Sequence, residues 1–318
     1  MFQCCFDFAS KTDKEESPAT DFVSHVIMAE PDSISPSVAW ERIKHFQQQS
    51  FLVPINPKST IHRDQVRFVC MSDSHCQVEN LKNFVPDGDV LLHAGNFTNT
   101  GQPEEIKKFN TFLGTLPHKC KVVIAGNQDL TFDNSMWSDE DRMLTSFNLS
   151  KHSIEHFLKE EGVSSVKELL TNCVYLEDML IDICGINVYG TPWVPEYGQS
   201  AFNLKRGEDI LQKWRKIPDA TDILLTHGPP LGYGDLNISK THVGCLELLN
   251  TVQKRVRPKY HVFGYVHEGY GITSDGFTTF INSSSCTISY TPSNVPIVFD
   301  VSIPKGHSKD ELLTNKGI

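Results

Sequence analysis

A chain of 318 residues with 39% hydrophobic content is long enough to bury one large core or two smaller ones. Its formal charge of -10, from 29 Lys and Arg against 39 Asp and Glu, argues against a groove for nucleic acid, yet leaves room for a metal site that takes a small phosphorylated ligand. The 9 cysteines form no CxxC pairs and read as reduced thiols of a cytoplasmic protein, and no apolar run approaches the roughly 20 residues of a transmembrane segment.

Residues 1–34 are polar, rich in Ser, Asp, Lys and Glu, and read as a flexible tail without a secretory leader. Cys4-Cys5, beside Phe2 and Phe6, is an acylation lookalike that the tail reading outweighs. Residues 35–65 hold an N-terminal helix and a linker. Ser35-Pro36 opens the helix, Val38, Ile43 and Phe46 give it an apolar stripe, and Pro54 and Pro57 mark the linker. The main domain is expected over 66–303, where short β-branched runs alternate with helical ones in the manner of a layered α/β fold.

Strands are predicted at Val66 to Met71, Val90 to His93, Lys121 to Ala125, Ile183 to Tyr189, Ile223 to Thr226 and His261 to Gly264. Helices are predicted from Pro103, with Ile106, Phe109 and Leu113 on one face, and over Asp139 to Glu161, Gly207 to Lys216 and Val243 to Val256. Beyond Gly264 the short runs Gly271 to Thr273, Phe277 to Ile281, Thr287 to Tyr290 and Ile297 to Val301 predict an antiparallel meander that closes a second sheet. Residues 304–318 form a C-terminal tail. Its Lys309-Asp310-Glu311-Leu312 is followed by further residues and is not a terminal retention signal.

Polar clusters follow five of these apolar runs: Asp73-Ser74-His75, Gly95-Asn96, Gly126-Asn127-Gln128-Asp129, His227-Gly228-Pro229-Pro230 and Gly264-Tyr265-Val266-His267. Each sits at the carboxyl end of a predicted strand, where open α/β sheets present ligand-binding loops. Asp, His and Asn converging from such loops suit borderline divalent metals. Gly126, Gly228 and Gly264 are expected at tight strand-to-loop turns that only glycine accommodates.

In order and context the five clusters resemble the calcineurin-like metallophosphoesterases, and their wording is similar to the metallophosphoesterase-domain-containing (UPF0046) subgroup. The matching segments are Arg67 to Asp73, Val123 to Asn127, Leu130 to Asp133, Thr226 to Gly232, His261 to Gly264 and His267 to Gly271. The resemblance implies a four-layered α/β sandwich, two mixed β-sheets flanked by helices. It implies a first metal on Asp73, His75 and His267, and a second on Asn127 and His227. Three positions depart from the family pattern. Asn96 stands where the family has a bridging Asp, Gln128 where it has the general-acid His beside Asn127, and Tyr265 where it has a metal-ligating His.

Asn keeps an oxygen but loses the charge that separates two dications, Gln donates a hydrogen bond but gives up no proton, and a phenol of pKa near 10 is a poor ligand. Asn127, His227 and Tyr265 are left to bind a phosphoester. The cofactor expected is a divalent metal (Mn, Zn or Fe) at one site or none, the partner a small phosphorylated ligand such as a nucleotide. Three functions stay open: an impaired phosphoester or phosphodiester hydrolase with weak or no turnover, an active phosphodiesterase that completes coordination with substrate and water, and a non-catalytic binding or scaffold protein.

Among the remaining candidates His93 reads as a satisfied core or supporting histidine, and His118, His152 and His156 as surface residues. Trp193 and Tyr197 fit either packing under a loop or stacking on a nucleotide. Asn96-Phe97-Thr98 spells a glycosylation sequon without a leader to expose it.

Overall fold

Alternate side chains of the strands serve different cores, and this alternation stacks the molecule into four layers. In the computed structural model, which describes residues 30–314, Val69, Met71, Leu91 and Val123 point to one side and pack on Ile106, Phe109, Leu113, Met143, Ile154 and Leu158 of the outer helices. Phe68, Cys70, Leu92 and Val122 point to the other side and meet Ile181, Val188, Leu225, Val262 and Ile281 of a second sheet. The far face of that sheet, through Tyr189, Leu224, Phe263 and Phe280, is covered by Trp40, Leu211, Trp214 and Leu249.

The first sheet has 5 strands in the order Ile297–Ser302, Gln65–Met71, Val90–His93, Cys120–Val123 and Val174–Tyr175. The second has 7, in the order Ser50–Phe51, Gly271–Ser274, Thr279–Asn282, Tyr260–Phe263, Ile223–Thr226, Ile186–Thr191 and Met179–Ile183. Both are mixed: the central strands are parallel, while Ile297–Ser302, Gly271–Ser274 and Met179–Ile183 pair antiparallel at or near the edges. The fold class is the one expected. Because the central strands are parallel, their carboxyl ends share one rim, and all five polar clusters lie on it.

Several element expectations are corrected. The single strand Ile183 to Tyr189 is two strands of a hairpin, turned at Cys184 and Gly185, both with positive φ (54° and 77°). Asp139 to Glu161 is two helices, Glu140–Phe147 and Lys151–Glu161, broken where Asn148 turns left-handed (φ 54°) and Ser150 caps the second. The helix expected over Val243 to Val256 begins only at Leu246, and its last turn, Val252–Val256, is a π-turn.

No meander follows Gly264. Gly271–Ser274 and Thr279–Asn282 extend the 7-stranded sheet, Ile297–Ser302 crosses to the other sheet, and Thr287 to Tyr290 is a turn closed by Thr287 N–H to the Thr291 carbonyl (2.9 Å). In the helix Pro36–Ile43 the buried residues are Ala39 and Trp40, while Val38 and Phe46 are exposed, so the predicted stripe is displaced.

The linker is anchored through Arg67, which is 1% exposed. Its guanidinium makes a bidentate pair with Asp300 (2.8 Å each) and donates to the Ser59 carbonyl (2.8 Å). At the other end Leu312 is buried in the inter-sheet core and Lys309 pairs with Asp89 (2.7 Å). The expectations for the tail up to residue 29, Cys4-Cys5 included, lie outside the described residues. Among the described residues no helix is long and apolar enough to cross a membrane.

Candidate metal centre

The loop after Gln65–Met71 is laced to the loop after Val90–His93 by backbone bonds, Asp73 N–H to Gly95 O (2.9 Å), His75 N–H to Asn96 O (3.0 Å) and Cys76 N–H to Phe97 O (3.1 Å). The lacing holds Asp73, His75 and Asn96 at positive φ (50°, 41° and 56°), a region that costs non-glycine residues about 1–2 kcal/mol. Such strain is retained where surroundings fix it, and here it turns three polar side chains toward one point.

Gly264 and Gly126 supply room. Neither has positive φ, so the expectation of turns only glycine can make is corrected. A Cβ at 264 would land on the Asp73 carboxylate and the Ser72 hydroxyl; one at 126 would fall on the Asn96 amide, with His227 Cε1 at 2.7 Å. Gly228 is less confined, its nearest neighbour being Val194 Cγ1 at 3.2 Å.

Asp73, His75 and His267 converge. His75 Nε2 lies 3.3 Å from His267 Nε2, and Asp73 Oδ1 lies 3.9 Å from the first and 3.6 Å from the second. His267 Nδ1–H donates to the Thr287 carbonyl (2.8 Å), which turns Nε2 inward. The other Asp73 oxygen accepts from the Ser284 hydroxyl (2.8 Å) and from Tyr265 N–H (2.9 Å). Burial would raise the Asp73 carboxyl, but His267 and the other imidazoles hold it well below the usual carboxylate range. Burial takes His75 down to about 4, while Asp73 overcomes burial at His267 and raises it. A carboxylate and two inward imidazole nitrogens this close fit one divalent cation with ligand distances of about 2.0–2.2 Å. Loading it would require both inward Nε2 atoms to be unprotonated.

The second group of residues meets differently. Asn127 Oδ1 lies 3.0 Å from His227 Nε2, and His227 Nδ1–H must donate to the Ala94 carbonyl (2.7 Å), an acceptor only. Burial lowers His227, so its Nε2 presents a lone pair to an oxygen lone pair. Between this pair and Asp73 stands Asn96. Its Oδ1 accepts from Gln128 N–H (2.8 Å), which fixes the amide orientation, and its Nδ2 donates to both Asp73 Oδ1 and Asn127 Oδ1 (3.1 Å each). The amide joins the two halves by hydrogen bonds. Asn96 is 3% exposed and Thr98 fully buried, so the sequon carries no glycan in the fold.

Gln128 donates to the Tyr290 hydroxyl (3.1 Å), and Tyr265 meets His227 edge to face at 5.5 Å. Burial pushes the Tyr265 phenol up to about 12. Gln128, Tyr265 and Tyr290 line a hollow of about 390 Å³ with Tyr197, Asn237, Ile238 and Glu268, and no Lys or Arg is among the described residues lining it. Trp193 lies elsewhere. Its Nε1–H donates to Asp178 (3.0 Å), its ring meets Phe202 edge to face and Lys213 lies over it at 3.4 Å, so it packs and does not stack on a ligand; Tyr197 is exposed. His93 is a buried support that shares a hydrogen bond with Ser74 (3.0 Å). His118 is buried with no hydrogen-bond partner for either ring nitrogen, which corrects the surface expectation.

Three contributors were given no role in the sequence reading. Asp129 is fully buried and takes Asn96 N–H (2.8 Å), Gly126 N–H (2.7 Å), Thr98 N–H (2.9 Å) and the Thr98 hydroxyl (2.6 Å), pinning two ligand loops together. Burial nonetheless raises it to about 7. Ser284 follows the parallel strand Thr279–Asn282, so the strand-end rule that found the others would have found it. Tyr290, 4.5 Å from the His75 ring, sits in a turn misread as strand and gave no signal.

Residues 66–269 match the sequence profile of the calcineurin-like phosphoesterases. Metallophosphoesterase domain-containing protein 1 of Homo sapiens is 49% identical over 245 residues, covering 75% of this chain and 72% of its own. Two UPF0046 proteins of Caenorhabditis elegans are similar. One is 42% identical over 290 residues, 89% of this chain and 98% of its own, and the other 43% over 283 residues, 88% and 71%.

Proposed function

The chain belongs to the calcineurin-like phosphoesterase family, and we propose that it is a member with a single divalent-metal position that binds a nucleotide-like phosphoester and turns it over slowly or not at all. The Asn96 amide carries this reading. Its N–H groups face Asp73 and Asn127, so the positive edge of a dipole lies where a second cation needs a negative oxygen. The lost attraction is on the order of several kcal/mol per cation at an effective dielectric near 20.

A cation on Asp73, His75 and His267 would polarise a phosphoryl oxygen. The chain itself offers neutral donors, Gln128 and the Tyr265 phenol, and tyrosine rings for a planar group. Gln128 gives up no proton, so leaving-group protonation worth about 10²–10⁴-fold is missing. With Glu268 in the lining and no Lys or Arg among the described lining residues, a monoanionic diester suits the hollow better than a dianionic monoester. The second reading is an active phosphodiesterase whose coordination is completed by substrate and water. The facing lone pairs of Asn127 and His227 favour it, since a cation relieves them.

Hydrolysis of bis(p-nitrophenyl) phosphate with Mn²⁺ separates the readings, comparing the native chain with Asn96→Asp, Gln128→His and Tyr265→His singly and combined. The triple variant should gain turnover by orders of magnitude; native turnover equal to it sinks the impaired-site reading. No Mn²⁺ or Zn²⁺ bound at micromolar concentration, with an unchanged melting temperature, would instead leave a binding or scaffold protein.

A further inference from the structure

We propose that Asp182, His307 and Glu311 form a separate site for a divalent cation of the zinc class, which clips the C-terminal segment to the hairpin of Met179–Ile183 and Ile186–Thr191. One ligand atom from each of the three side chains lies within 4.8 Å of the others. The site is remote from Asp73, His75 and His267. Ile186–Thr191 runs parallel to Ile223–Thr226 toward the rim of polar clusters, so the Cys184-Gly185 turn that precedes it lies at the opposite end of the sheet. Nothing in the clip depends on the phosphoester reading.

Three contacts bring the C-terminal segment to that turn. Lys309 pairs with Asp89 (2.7 Å), and Leu312 is buried in the inter-sheet core. The His307 ring lies against Gly185, where an added Cβ would come within 2.6 Å of Cδ2. Glu311 therefore stands between two anchored residues, and its Oε2 meets His307 Nδ1 at 3.0 Å. Its other oxygen accepts from Ser308 N–H (2.8 Å), as Asp182 Oδ1 accepts from Gly185 N–H (3.1 Å). Each carboxylate is thus oriented by a backbone donor and keeps lone pairs for a cation.

Two carboxylates this close repel each other, and His307 is the positive group set beside them. Its hydrogen bond to Glu311, with the charges of Glu311 and Asp182, raises it above the ordinary imidazole value. One proton offsets two negative charges only in part, whereas a divalent ion offsets both. Tetrahedral ligands about 2.1 Å from zinc stand about 3.4 Å apart, so the 3.0 Å pair already approaches that spacing. His307 and Glu311 are partly exposed, which lets the side chains rotate to close the third distance and lets water complete the coordination.

The donor set selects the metal. Burial, with Glu311 and Asp182 adding their charge, pushes the Cys184 thiol at the same turn up to about 11, so it stays protonated and supplies no soft ligand. An imidazole nitrogen with two carboxylate oxygens suits zinc, whereas magnesium and calcium take oxygen ligands.

The test uses the full chain stripped with EDTA and desalted, and counts the Zn²⁺ bound at micromolar concentration. The native chain should bind one zinc more than His307→Ala and one more than the isosteric Glu311→Gln; both positions are partly exposed, so neither replacement opens the core. Hydrogen exchange locates the ion. Zinc should slow the Gly185 and Leu312 amides at least about tenfold in the native chain and in His75→Ala, but not once His307 or Glu311 is replaced. Equal zinc stoichiometry in the native chain and both variants overturns the proposal. So does a native chain in which zinc leaves the Gly185 and Leu312 amides unprotected, or protection that survives both replacements.

Discussion

The proposed reading makes Asn96→Asp the variant that would supply a bridging carboxylate, and the structure sets its cost without metal. Nδ2 lies 3.1 Å from Asp73 Oδ1, and Asp73 is held ionised, so an oxygen of the introduced carboxylate faces a fixed negative charge across that distance. At an effective dielectric of about 20 the repulsion is roughly 5 kcal/mol. The new carboxyl can escape by taking a proton, which at pH 7 costs about 4 kcal/mol for a group of ordinary value near 4. The smaller figure prevails, so metal-free Asn96→Asp should lose about 4 kcal/mol and melt about 10 °C lower than native at pH 7. The penalty grows as pH rises above about 4 and is absent below it, because a protonated acid repels nothing. Mn²⁺ should reverse the order, raising the variant's melting temperature by more than the native's. Differential scanning calorimetry at pH 4.5 and 7, with EDTA and with Mn²⁺, reads all four values. A metal-free variant within about 2 °C of native at pH 7, with the same Mn²⁺ shift, would mean that Asn96 does not occupy the bridging position.

Further outcomes follow from other contacts. His75→Ala should abolish metal binding in isothermal titration calorimetry while Tyr265→Phe leaves it intact, since the buried phenol near 12 stays protonated; equal loss from both would refute the ligand assignment. Gly264→Ala adds no polar group yet should abolish metal binding, because its methyl displaces the Asp73 carboxylate; native affinity would refute the close approach. Asp129 is raised in the fold to about 7, so its contribution to stability is fullest below pH 4 and is lost as pH rises toward 7. Asp129→Asn cannot ionise, so the stability gap between native and variant in urea melts should narrow by about 2–3 kcal/mol from pH 5 to pH 8; a constant gap would refute the shift.

The rim of polar clusters was legible because each cluster follows a short apolar run that reads as a buried strand, and parallel strands deliver their carboxyl ends to one side. The order Asp73-x-His75, Asn96, Asn127-Gln128, His227 and Tyr265-x-His267 therefore puts these residues on one rim. The layered fold was legible for the same reason, as the alternation in Phe68, Val69 and Cys70 already divides two cores. Local periodicity did not reveal where a run is cut. Cys184-Gly185 and Asn148 break elements through one or two positive-φ residues within patterns that look continuous.

What Asn96 does was beyond the sequence, which names an amide in place of a carboxylate but not which way it points. That is decided by Gln128 N–H, a donor 32 positions away that claims the amide oxygen and turns the N–H groups toward Asp73 and Asn127. Asp129 and Ser284 belong to the same class. Their roles are hydrogen-bond partners contributed by loops far apart in the chain. Burial patterns repeat every two or four residues and can be read along the sequence, whereas a hydrogen bond between loops depends on direction and distance that only the assembled sheets supply.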